Sequence, residues 1–223
     1  MIVFDIITIR EFDMKKNVLF PVLILLGFML MSCQTTDKTS SKGLVYKPGE
    51  LINGKDGKPV LYRNKSLDIA IDILPSAIIL STDSLSMFDN EAQNVDFIMS
   101  HIDLTGTTFM MAAEDLGEEY IRIDDEEFSR QLMENPVFVA TYIEQFSQSL
   151  TSKGYTVDDV YVEELEFMGE EILAFRLEGS MASLPIDYIV IFSKIGRYLR
   201  CIVLGATKHE YCLEQLSRVG HYR

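Results

Sequence analysis

The chain has 223 residues, a net charge of −14 and 48% hydrophobic residues, with three cysteines and no tryptophan. That length suits one domain with enough chain to bury a proper core. So acidic a balance repels phosphate backbones and anionic headgroups, and no Lys/Arg stripe offsets it, which speaks against nucleic-acid binding and against charge-driven adhesion to lipid.

The first element is an address. Met14, Lys15 and Lys16 form a basic start, Val18 to Met31 is apolar and uncharged, and the small residue Ser32 precedes Cys33. This is the order of a secretory signal peptide, and the apolar run falls short of the roughly 20 residues that span a bilayer. Leu30-Met31-Ser32-Cys33 resembles the lipobox of bacterial lipoproteins. The resemblance implies cleavage between Ser32 and Cys33 and acylation of Cys33; an uncleaved anchor is the rival. Each buried CH₂ contributes about 0.8 kcal/mol, so two or three acyl chains hold essentially permanently where one binds only marginally. Residues 1–32 therefore read as the signal peptide. Within them, 1–13 put Asp5, Glu11 and Asp13 where a signal wants only positive charge, so they read as codons upstream of the native start. By analogy with proteobacterial sorting, Gln34 in place of Asp at the second mature position favours the outer membrane over the inner.

Residues 33–43 read as the lipidated cysteine and a flexible tether rich in Ser, Thr and Lys, and 44–223 as one globular domain. Asn53-Gly54 and Asp56-Gly57 predict tight turns and a short hairpin. Leu67, Ile69, Ile71 and Ile73 alternate with Asp68, Ala70 and Asp72, which predicts a half-buried strand ending at Pro75. Ala77 to Leu80 and Thr107 to Ala113 offer further strands, while Asn90 to Gly106 is ambiguous because Val95, Ile98, Met99 and Ile102 fit helical spacing. A short acidic helix is expected over Asp125 to Met133. The clearest helix runs from Pro136 to Lys153, with Asn135 as N-cap, Gly154 as stop and a stripe of Val139, Tyr142, Ile143, Phe146 and Leu150. Beyond Gly154 the period becomes two, and Val157 to Phe167, Ile172 to Glu178, Ile186 to Ser193 and Arg197 to Leu204 read as antiparallel strands joined by short turns. Lys208 to Val219, with Cys212, Leu216 and Val219 in step, predicts a closing helix.

Chemistry-bearing patterns are sparse. The acidic runs at Glu114 to Glu119, Asp124 to Glu127 and Asp158 to Glu166 lack calcium-loop spacing and read as solvated faces. His101, His209 and His221 share no metal-ligand spacing, and His221 reads as part of a fraying end; neither a metal nor a cofactor is expected. No G-x-S-x-G elbow, P-loop or dinucleotide fingerprint occurs, and the strand aromatics and methionines read as core before they read as a ligand cavity. With Cys33 committed to lipid, Cys201 and Cys212 are the remaining possible disulfide. An envelope location permits that bond, whereas their apolar settings favour two separately buried thiols; both readings stay open.

Ile71-Asp72-Ile73-Leu74-Pro75, the Gly196-Arg197-Tyr198 turn feeding Leu199 to Gly205, and the order of hairpin, long helix, strands and terminal helix resemble the PsbP/Mog1/DcrB-like group from about Ser66 onward. That resemblance implies an α+β fold, an α/β/α sandwich around a mainly antiparallel sheet, and a non-enzymatic role assisting other proteins. The expected protein is a lipid-anchored envelope lipoprotein, held on the membrane at Cys33, whose domain contacts another envelope protein. An envelope hydrolase with a site assembled only in space, or a carrier of a small apolar ligand, are the alternatives.

Overall fold

The computed structural model describes residues 49–79, 95–103, 106–152 and 154–223. The signal region, Ser32, Cys33 and the tether lie outside the described residues.

Two antiparallel sheets organise the domain. The early turn dipeptides give a hairpin of β1 (Glu50–Asn53) and β2 (Pro59–Asn64), closed by Gly54 N donating to Lys58 O at 2.7 Å. Next come β3 (Ile69–Asp72), β4 (Ile78–Ile79), β5 (Val95–Ile102) and β6 (Thr108–Asp115). A 3₁₀ turn at Glu118–Arg122 leads into helices α1 (Asp125–Glu134) and α2 (Pro136–Ser152). Four long strands follow: β7 (Tyr155–Phe167), β8 (Glu170–Met181), β9 (Leu184–Ile195) and β10 (Tyr198–Ala206). Helix α3 (His209–Leu216) and strand β11 (Val219–Gly220) complete the described chain. The large sheet has the order β4-β5-β6-β10-β9-β8-β7, the small one β1-β2-β3-β11.

Each face of the large sheet carries its own core. On one face, α1 and α2 bury Phe128, Leu132, Phe138, Tyr142, Phe146 and Leu150 against Phe175, Phe192 and Val203. Tyr142 stacks on Phe175 with ring centroids 4.4 Å apart and meets Phe192 edge-on at 5.3 Å. On the other face, α3 and the small sheet bury Leu67, Ile69, Ile71, Leu216 and Val219 against Ile189, Ile191, Ile202 and Leu204. The result is the expected α+β sandwich with helices on both faces of an antiparallel sheet, and a second, small sheet beside α3 in one outer layer.

Local chemistry sets the element ends. Asn135 Oδ1 accepts from Val137 N at 3.0 Å and Phe138 N at 3.2 Å, and Pro136 fills the first helical position of α2. Asp124 caps α1 by accepting from Glu127 N at 2.9 Å. Helix α1 is then pinned to the β9–β10 hairpin. The buried Lys194 pairs with Asp125 and donates to Ile123 O at 2.8 Å, while Gly196 N donates to Asp125 Oδ2 at 3.0 Å.

One open reading is resolved and two expectations are corrected. Val95 to Ile102 is strand, and its helix-like spacing comes from a bulge between Phe97 and Met99 that inserts one residue and breaks the alternation. Helix α3 stops at Leu216, and Val219, although in helical step with Cys212, pairs with Ile71 in the small sheet. Leu67 and Asp68 belong to a turn in which Asp68 has φ 44°, so the strand itself begins at Ile69.

Candidate functional site

A cleft of about 670 Å³ opens where the two sheets part. One wall is the second half of β7 and the β7–β8 turn, from Glu163 to Gly169; the other is α3 with β11 and the residues after it. Strand β7 is the last described strand of the large sheet and β11 the last of the small one, so two edges that pair with no further described strand border the same space. The turn closes tightly because Met168 and Gly169 both adopt positive φ, 56° and 90°, the signature of a two-residue hairpin loop.

The polar lining is a chain of half-buried charges. Glu163 lies between His209, with Nε2 3.8 Å from Oε1, and Arg176, with Nη1 3.9 Å from Oε2. Arg176 also reaches Glu178 at 2.9 Å and Asp187 at 3.7 Å, and its guanidinium stands 5.5 Å from the centre of the Tyr161 ring. Tyr161 donates to Glu178 Oε1 at 2.8 Å. Glu163 Oε1 and His209 Nδ1 are buried and lack a hydrogen-bond partner. Opposite them, His221 Nδ1 is 2.7 Å from Asp68 Oδ2, and Tyr222 N donates to Asp68 Oδ1 at 3.2 Å. Behind this wall Arg200 is buried, donating to Ser193 Oγ at 3.0 Å and Leu67 O at 2.9 Å. Burial pushes its pKa down to about 10, so it stays a cation at neutral pH.

The groups weighed from the sequence fall in different places. His209 and His221 both line the cleft, and His221 is held by Asp68, contrary to its reading as a fraying end. His101 lies elsewhere, stacked on Phe109 at 5.3 Å, and burial lowers its pKa. Cys201 and Cys212 are free and buried, so the disulfide weighed for them is not formed. The reason is geometric: Cys201 belongs to the core under α1 and α2, and Cys212 to the core on the opposite face of the sheet. Burial raises both thiols, Cys212 to about 12, which keeps them protonated and poor nucleophiles. Ser217 at the cleft donates to Glu214 O at 2.7 Å within its own helix end. Among the described residues no group of three His, Cys, Asp or Glu side chains is placed to hold a metal ion.

The acidic runs are not uniformly solvated. Glu114 is 2% exposed, and Asp115 clamps Arg197 through two hydrogen bonds of 2.7 and 2.5 Å. Sequence reasoning missed the cleft itself. The available signal was in β7, whose 13 residues hold five carboxylates and no Lys or Arg, an edge-strand composition.

No family model and no curated protein matches the chain. Among solved structures, it is similar to the solution structure of cyanobacterial PsbP (CyanoP) from Synechocystis sp. PCC 6803, at 8% sequence identity and a TM-score of 0.36, over 83% of this chain and 98% of that one.

Proposed function

We propose that this chain is a lipid-anchored binding protein of the bacterial cell envelope, tethered through Cys33, whose domain engages another envelope protein at the β7–α3 cleft without catalysing a reaction. The carrying observation is the cleft between two strand edges that pair with no further described strand, where Glu163 lies between His209 and Arg176 and His221 is held by Asp68. A hydrolase that works through a covalent Ser, Thr or Cys intermediate would need a hydroxyl or thiol held against a base. The cleft's Ser217 points its hydroxyl at a backbone carbonyl, and the two free thiols lie in the cores. The anchor is supported by the Leu30-Met31-Ser32-Cys33 motif; the strongly acidic charge leaves the domain no electrostatic hold on anionic lipid of its own.

Two measurements test this. Cys33→Ala is expected to move the protein from the membrane fraction to the soluble one and to abolish incorporation of labelled palmitate; unchanged fractionation would remove the anchor. A photo-crosslinking residue at Leu213, on the cleft wall and 39% exposed, is expected to give one dominant protein adduct in intact cells. The same probe at Val137, on α2 across the sheet, is expected to give none. Equal labelling from both positions would show that the cleft is not the contact surface.

A further inference from the structure

We infer that the open edge of β7 beside the cleft takes an extended, lysine- or arginine-bearing segment of the partner protein as an added strand. This rests on the binding role proposed above and specifies its partner.

Strand β7 pairs only with β8, so the backbone N–H and C=O groups of its outer edge meet no described strand. A long unpaired edge is a template for another chain, and adding a strand supplies main-chain hydrogen bonds along its whole length. A bulge between Val157 and Asp159 twists one end of β7 out of line. From Val160 to Phe167 the register against β8 runs without interruption, which leaves a straight edge. The cleft opens beside this straight half and supplies the room that an incoming chain needs.

Charge selects the occupant. Strand β7 carries five carboxylates and no Lys or Arg; Glu163 is paired with Arg176, and Glu214 of α3 with Arg218, so the exposed Asp158, Asp159, Glu164 and Glu166 set the charge of the edge. Two copies of this edge would set carboxylate against carboxylate, so the residues that guard against self-pairing also favour a cationic strand, by the cross-strand charge rule. Arg223, on the opposite wall, belongs to a segment tied back by Arg63 Nη1 donating to its carbonyl at 3.2 Å. On the cleft side, Leu213 at 39% exposure offers an apolar contact. The matching segment therefore alternates basic and aliphatic residues.

The test uses the full chain and three short synthetic peptides: alternating Lys and Val, alternating Glu and Val, and the Lys/Val peptide N-methylated at every second residue so that one backbone edge cannot hydrogen-bond. The Lys/Val peptide is expected to bind, with affinity falling as salt rises. Glu164→Lys with Glu166→Lys, both exposed positions, is expected to weaken it by about tenfold. The edge-facing amides from Tyr161 to Phe167 are expected to gain hydrogen-exchange protection when it binds. Equal binding of the Glu/Val peptide, undiminished binding of the N-methylated peptide, protection that appears away from β7, or no binding would each overturn the inference. If the Leu213 crosslink to a native partner persists while the Lys/Val peptide fails, the binding role stands and the added strand falls. If both fail, both fall.

Discussion

Glu114 shows how far a residue can depart from the run that contains it. It lies in the Glu114 to Glu119 acidic stretch, yet β6 turns it inward, its Oε2 finds no partner, and burial, followed by the neighbouring Asp115 charge, raises its pKa to about 7. In the unfolded chain the same carboxyl ionises near 4.5. Between those values the folded state holds more protons, so stability must fall as pH rises through the window from 4.5 to 7, and this contribution is flat above it. Urea titrations of Glu114→Gln are expected to lack a decline of about 3 kcal/mol that the parent shows across that window. A parent whose pH dependence matches the variant's would mean that Glu114 is solvated. Tyr142 is a second buried group with an orphaned atom: its hydroxyl has no hydrogen-bond partner although its ring sits in the aromatic core. Tyr142→Phe keeps the ring contacts and removes the stranded hydroxyl, so a gain of about 1 kcal/mol is expected in chemical denaturation. Tyr142→Ala, which leaves a cavity, is expected to lose about 4 kcal/mol.

Among the elements, the three hairpins that build the long-strand half of the large sheet are joined by two-residue loops of unequal quality. The β7–β8 loop has glycine at one of its two positive-φ positions, whereas the β8–β9 loop places Ala182 at φ 50° and Ser183 at φ 68°, with no glycine. Left-handed backbone is strained for residues with a Cβ, and Asn-Gly is the pair this turn prefers. Replacing Ala182-Ser183 by Asn-Gly is expected to raise stability by about 1 kcal/mol and Tm by roughly 3 °C in a thermal melt. An unchanged or lower Tm would show that strain in this loop is absent. Periodicity served well where an element is regular, as in α2 and the four strands after Gly154. It left β5 undecided, where a bulge shifts the phase, and failed at Val219, where a buried residue of the small sheet falls by coincidence on the stripe of α3.

For the whole molecule, the large sheet is a partition. Cys201 and Cys212 are only eleven positions apart in the chain, yet they lie in the two separate cores on either side of it. Both are therefore expected to resist a thiol reagent in the native state and to react together at the rate of global unfolding, with reduction leaving mobility on a non-reducing gel unchanged. A mobility shift on reduction would mean that the two can meet. The α+β class and most of the regular elements were legible in the chain alone, because each follows from patterns within a few tens of residues: hydrophobic period, caps and turn dipeptides. Where the cleft lies could be read only from the folded molecule. The cleft joins Glu163 to His209 and Asp68 to His221, pairs that no local spacing relates, and it exists because the outermost strands of two sheets end side by side. Which strand becomes an edge is a property of sheet order, set by burial on both faces at once, and no window of sequence contains it.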